Sequence, residues 1–326
     1  MKRMVHLFFV ALVTFLILKT TTFGWNLFSN SSKGCNPKDN IILGRIRKHI
    51  YMLSHKIGNR SVFYYDNLER AANYISEQFV TYGYKVEFQE YILENKKVKN
   101  IIAVKNGIKA SEEIIVVGAH YDSCFNPGAD DNASGVAGVL ELARFMKDKD
   151  IDRTIKFIAF ANEEPPYFKT ENMGSRIYAR EAKIKNEAIK AVIILETIGL
   201  YTNKINSQRY PIILGIFYPN KGNFITIVGN INSRHLVNKI KTSFRKYSKF
   251  PISSIALDFI PASDFSDHWS FWKEGYSAVM VTDTAFLRNF HYHRDSDTWE
   301  KLSYENMACV IEAFCSVLFD LAKYSN

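Results

Sequence analysis

The sequence has no CxxC pair among its four cysteines, Cys35, Cys124, Cys309 and Cys315, so a cysteine zinc site is not expected. Cys309 and Cys315 lie six residues apart in a helical pattern, which points them to different faces and argues against a bond between them. There is no internal repeat, low-complexity linker or proline-rich hinge, and one domain from about residue 36 to 326 is the simplest organisation. Glycine (16), proline (8) and charged residues (23%) are not in excess, which sets aside collagen, disorder and coiled coil. There is no arginine-rich tract either. The net charge of +9 is spread along the chain, so a solvated basic surface is expected and nucleic-acid binding is not. The basic amphipathic stretch "KIKTSFRKYSKF" is read the same way, as a solvated helix face.

Long apolar runs are scarce. One, Leu7 to Leu18, follows Lys2 and Arg3, the pattern of a secretory signal. Thr22 and Gly24 make only a weak cleavage site, so residues 1–24 read as a signal peptide or as an uncleaved anchor attaching the chain to a membrane through residues 7–18. Either way the rest of the chain is expected outside the cytoplasm: periplasmic, secreted or membrane-anchored. In an exported protein some cysteines can pair, but the pairing is not legible.

What is present is an alternation of strands and helices. "NIILGRIRKHIYMLSHKIG" and "DNLERAANYISEQFVTYGY" have helical spacing, the second with Asp66 or Asn67 as a cap and Gly83 as its end. "YKVEFQEYIL" and "KNIIAVKNG" read as strands, as do "EEIIVVGAH", "RTIKFIAFANEE", "IKAVIILETIG" and "SAVMVTDT". "GVAGVLELARFMKD" and "YENMACVIEAFCSVLFDLAKY" read as helices. The pattern predicts an α/β fold, three layers α/β/α, with a mixed, mostly parallel central sheet.

Three of the apolar strands end in polar groups: His120, Glu163-Glu164 and Glu196. Ligands of open α/β sheets bind beyond the carboxyl ends of the strands. Carboxylates gathered there repel unless something positive compensates them, and no lysine or arginine lies in the strand-end motifs. A divalent metal fills that need, and a mixed imidazole and carboxylate set suits zinc. His120, Asp130, Glu164, Glu196 and His293 make five donors, enough for two ions about 3.5–4 Å apart if one carboxylate bridges. Read singly, each has a plainer account: His120 a strand-end histidine, the glutamate pair a solvated turn, Asp130 and Asp131 helix caps. Glu196 after "AVIIL" is harder to dismiss, because buried acids are seldom unpaired.

Six stretches in order, "GAHYDS", "PGADDNASG", "FANEEPP" leading to "MGSRIYAR", "LETIGLY", "SDHWSFW" and "YHRDSDTWEKL", resemble the dinuclear-zinc aminopeptidases. That family includes secreted bacterial leucyl aminopeptidases, aminopeptidase Y and glutamate carboxypeptidase II, with glutaminyl cyclases more distant. The resemblance implies the zinc-exopeptidase fold, two zinc ions, and a peptide substrate with a free N-terminus. It implies that His120 and Glu196 hold one metal, Glu164 and His293 the other, and that Asp130 bridges. Glu163 would be the general base, taking a proton from the attacking water and passing it to the leaving amine. Tyr292 would donate a hydrogen bond to the developing oxyanion, and Asp122 would hold the His120 imidazole. A cis peptide is implied between Asp130 and Asp131. Two departures stand out: Glu196 where many members have aspartate, and "HRDSDT" after the last ligand.

The activity so implied is that of an exported aminopeptidase. A carboxypeptidase or dipeptidase of the same family would need a basic pocket, for which Arg176, Arg288 and Arg294 are candidates. A glutaminyl cyclase-like acyltransferase would keep fewer metal ligands, and an inactive ectodomain would have lost ligands or base.

Overall fold

The computed structural model describes residues 37, 40–210, 215 and 218–324. The expected signal or anchor segment and Cys35 lie outside the described residues.

Among the described residues eight strands form one sheet in the order β1-β2-β4-β3-β5-β8-β6-β7. They are β1 (Val86–Leu93), β2 (Lys96–Lys105), β3 (Ala110–His120), β4 (Arg153–Phe160), β5 (Ala188–Glu196), β6 (Ile225–Gly229), β7 (Ile252–Ala256) and β8 (Ala278–Thr282). The centre is parallel: β3 pairs with β4 and β5, and β5 with β8. The flanks are mixed. β1–β2, β2–β4 and β6–β8 are antiparallel, and β6–β7 is parallel. The central strands are near-continuous runs of β-branched and aromatic residues because both their faces are covered. Their side chains alternate between two cores. Ile115, Val117, Phe157, Ile193 and Leu195 join one, while Ile114, Val116, Ile158, Phe160, Val192 and Ile194 join the other. Each fully buried side chain of this size contributes about 1.5–3 kcal/mol.

Helices cover both faces. On the first side lie α1 (Asn40–Ile50), α2 (Tyr65–Thr81), α3 (Gly135–Met146), α5 (Arg234–Tyr247) and α7 (Tyr304–Ala322); on the second, α4 (Gly174–Ile184) and α6 (His268–Lys273). α1 buries Ile42, Ile46 and Ile50, and the stripe continues as Leu53 and Ile57 through a π-helical turn. α2 ends in a Schellman motif. Gly83, at φ 87°, donates to Val80 O, and Tyr84 donates to Phe79 O. Its start differs from expectation: neither Asp66 nor Asn67 caps it, and the Asn67 amide donates to Asn59 O instead. The basic helix α5 turns Leu236, Val237, Ile240 and Phe244 into the core, and Phe244 packs on Phe314 of α7. Cys315 is free, so it does not pair with Cys309.

β6 and β7 were not legible as strands. Each is five residues long, and a short apolar run such as "ITIVG" carries no period of its own.

Candidate functional site

β3, β4, β5 and β8 run in one direction, so their carboxyl ends open on a single edge of the sheet. β3 delivers His120 as its last residue, β5 delivers Glu196, and the turn after β4 delivers Glu163 and Glu164. His293 arrives from the segment between β8 and α7. The turn between β3 and α3 supplies the remaining carboxylate.

Here the structure corrects the sequence reading. The aspartate facing both histidines is Asp131, not Asp130. Asp131 Oδ1 lies 3.3 Å from His120 Nε2, and Asp131 Oδ2 lies 3.0 Å from His293 Nε2. The Asp130 carboxylate turns away, accepting from Gly199 N at 2.9 Å and from Asn289 Nδ2 at 2.9 Å. The cause is the phase of the turn. Gly128 takes a left-handed φ of 58°, and an added Cβ there would meet Asp131 O at 2.4 Å. The Asp297 carboxylate accepts from the amides of both Asp130 and Asp131. Asn132 Oδ1 receives Gly135 N and starts α3, so neither aspartate side chain caps that helix. The cis peptide likewise lies one residue on, between Asp131 and Asn132.

Around Asp131 the donors form two groups. His120 Nε2 is 3.3 Å from Glu196 Oε2, and His293 Nε2 is 3.2 Å from Glu164 Oε2. Each ring nitrogen therefore faces two carboxylates, although one nitrogen carries at most one proton. His120 Nδ1 and Nε2, His293 Nε2, Asp131 Oδ2 and Glu164 Oε1 are buried without a hydrogen-bond partner. Orphaned polar atoms converging on shared points fit metal ions, and two imidazoles with three carboxylates are a zinc-type donor set. Glu163 lies beside them, its Oε2 3.9 Å from His120 Nε2. Tyr292 stacks flat on the His293 ring, with centroids 3.9 Å apart.

The supporting residues are mostly ones that the sequence did not single out. Asp122 was expected behind His120, and its Oδ1 lies 3.5 Å from His120 Nδ1. It also accepts from the amides of Glu163 and Glu164, tying the ends of β3 and β4 together. Ser266, within the quoted "SDHWSFW", donates to Glu196 Oε2 at 2.7 Å. Arg60, fully buried, donates to the carbonyls of Leu53, Gly58, Tyr121, Pro127 and Gly128, and so clamps the loop carrying the site. Cys124 of that loop lies beside Glu164 and His293, although its sequence spacing gave no sign of it. His268 is buried, with its Nε2 bonded to Ser263 O.

The protonation balance reflects crowding. Burial pushes Glu164 up to about 8, and the Asp131 charge adds to it. Burial also carries Glu163 well above the carboxylate range; Glu164 and Glu196 add to this while His120 opposes it. Asp130 is raised by burial and by Asp283 and Asp297. Burial works against ionisation of Asp131 as well, but the two imidazoles outweigh it and hold its pKa low. Left to itself, the chain cannot ionise all these groups together.

Next to the cluster opens an apolar pocket between Glu196 and Tyr292, walled by Tyr210, Phe224, Ile255, Met280 and Phe286. Of the aromatics in the sequence around it, Phe265 lines the pocket, Phe271 is core and Phe259 is exposed. The three arginines considered for a carboxylate pocket sit otherwise. Arg176 pairs with Glu274 and Glu171. Arg288 is buried, donating to Gln208 and to Leu200 O. Arg294 is exposed.

The three-layer fold and this edge define a zinc-exopeptidase-type metallopeptidase. The chain belongs to peptidase family M28, whose model matches residues 100–318. It is 35% identical to the uncharacterized protein YfbL of Escherichia coli, over 98% of this chain and 99% of that one. It is 28% identical to a probable leucine aminopeptidase 1 of Trichophyton verrucosum, over 65% of this chain; the match spans 56% of that relative's length. In structure it is similar to BSAP, a zinc aminopeptidase from Bacillus subtilis, with a TM-score of 0.70 and 16% identity over 86% of this chain and 95% of that one.

Proposed function

We propose that this metallopeptidase is an exported aminopeptidase working with two zinc ions, its catalytic domain running from about residue 36 to 326. The observation that carries the reading is Asp131, with one oxygen on each histidine. His120 and Glu196 would hold one ion and His293 and Glu164 the other, with Asp131 shared. Bound there, zinc would supply Lewis-acid polarisation of a scissile carbonyl and a water nucleophile near neutral pH. Glu163 is the general base. Its burial keeps its basicity high, so it takes the water proton and returns it to the departing amine. The Tyr292 hydroxyl donates to the carbonyl oxygen as charge builds there. Asp122 keeps His120, Glu163 and Glu164 in register.

The apolar pocket takes the side chain of the first residue, and the acidic rim holds its α-ammonium. Large apolar N-terminal residues are therefore the preferred class. Arg176 and Arg288 are already engaged within the protein, so a carboxypeptidase finds less support. Export rests on Lys2, Arg3 and the apolar run 7–18. Among the described residues no helix is long and apolar enough to cross a membrane.

The test offers free and N-acetylated forms of one peptide panel to the purified full chain, with and without chelator. The expected result is loss of first residues from free N-termini only, abolished by chelation. Cleavage of acetylated peptides from the C-terminus would replace the reading with a carboxypeptidase. Glu163→Gln should lower turnover roughly 10²–10⁴-fold with metal content unchanged; retained activity would refute the base assignment.

A further inference from the structure

We propose that Cys124 supplies a thiolate to the metal ion held by Glu164 and His293. That half of the centre is then a sulfur, nitrogen and oxygen site, while the His120–Glu196 half keeps nitrogen and oxygen alone. The inference rests on the dinuclear reading above.

Cys124 Sγ, a Glu164 oxygen and a His293 nitrogen all lie within 4.8 Å of one another. The thiol is free and half-buried. A second observation points to a ligand independently: Glu164, only 4% exposed, keeps Oε1 without a hydrogen-bond partner, and so does His293 at Nε2. The position of the thiol is fixed by its neighbours. Ser123 N donates to Arg60 O at 2.8 Å, and Arg60 N donates back to Ser123 Oγ at 3.1 Å. The Arg60 guanidinium holds the carbonyls of Tyr121 and Pro127 on either side. The cysteine is thus presented to the cluster by a clamped loop.

Ligation exchanges the S–H bond for a sulfur–metal bond, and the proton passes to solvent. A soft donor favours zinc over magnesium, calcium or manganese, which prefer oxygen. The two ions should therefore differ, the sulfur-bound one being the more selective.

Cobalt(II) alone is the probe. The metal-free full chain and Cys124→Ser are each titrated with it, and bound cobalt is counted. The native chain should develop an intense near-ultraviolet sulfur-to-cobalt absorption that Cys124→Ser loses while its weaker visible bands persist. Serine still offers a hydrogen bond to His293, so a cysteine that merely orients the ring would give the native chain no such absorption. Equal near-ultraviolet spectra in the two proteins would overturn the proposal and leave the dinuclear reading standing. No cobalt bound by the native chain would overturn both. A second measurement needs no variant: iodoacetamide labelling, read on the peptide containing Cys124, should proceed in the chelated protein and be blocked in the zinc-loaded one. Equal labelling would sink the assignment.

Discussion

Two regions of this molecule bury carboxylates, and they treat them in opposite ways. Glu141 of α3 has a fully buried side chain, but Arg45 donates to both of its oxygens at 3.0 Å, Arg144 adds a third contact, and His49 stands 3.6 Å away. Burial alone would raise its pKa; the hydrogen bond from His49 and the charges of Arg144 and Arg45 reverse that and leave it lowered. At the sheet edge Glu163, Glu164 and Glu196 are raised instead. The fold supplies cations where a charge is structural. Where it withholds them, the missing positive charge marks the place for a metal. Arg60 borders both behaviours. It feels Asp122, Asp297, Asp131 and Glu164, yet burial still lowers it to about 10, and its hydrogen bonds go to carbonyls rather than carboxylates.

The sharpest way to break this comparison is to alter the two adjacent aspartates separately. Asp131→Ala should release metal and cost at least about 10²–10³-fold in turnover, because several kcal/mol of charge stabilisation go with the ions. Asp130→Asn should keep metal, since its carboxylate turns away from the two histidines and accepts from Gly199 and Asn289. Metal analysis of both variants decides it, and the opposite pattern would return the bridge to Asp130.

Chelation should come next in size. An ion at a thousand times its Kd stabilises by about 4 kcal/mol, which lowers Tm on its removal by on the order of 10 °C for a domain this large. An unchanged melting curve would mean that the cluster does not depend on a cation.

Arg60→Leu should destabilise by about 3 kcal/mol, because five carbonyls lose the guanidinium, of which Leu53 O and Gly128 O keep an amide donor, from Gly58 N and Ala133 N. Denaturant titration measures it. The loss should be accompanied by weaker metal binding, since the clamped loop carries the ligands.

Glu141→Gln should have the smallest effect, roughly 1–2 kcal/mol once partial exposure of the two arginines is allowed for, with turnover per folded molecule unchanged. Its pH dependence has a definite sign. Because the folded pKa is lowered, the ionised form contributes fully above the unfolded value of about 4.3, and that contribution disappears as pH falls through the folded one. The variant should therefore lose less stability than the native chain on acidification below about pH 4.3. Equal acid sensitivity would show that the arginines do not stabilise that carboxylate.

Much of this was legible before any coordinates. Long runs such as "EEIIVVGAH" and "AVIILE" announce buried strands, and a histidine or glutamate at their ends needs a reason to be there. Reading Asp130 where Asp131 stands failed because the turn alone does not decide it. Two adjacent aspartates in a turn point to different sides, and which one faces inward depends on Gly128 and on Asp297, more than 160 residues away along the chain. Arg60 was missed because a buried arginine bonded to main-chain carbonyls has no sequence signature. Cys124 was set aside because metal-site rules for cysteine rest on spacing along the chain, and its partners come from two other segments.

The sequence by itself determined the layered α/β order, the strand ends that carry His120, Glu164 and Glu196, and the lack of cations in those motifs. Only the tertiary structure decided which aspartate joins the two histidines, what clamps the loop, and that a thiol stands at one side. Strand periodicity is set by neighbours along the chain. The aim of a side chain within a turn is set by hydrogen bonds from residues that meet only when the sheet has formed.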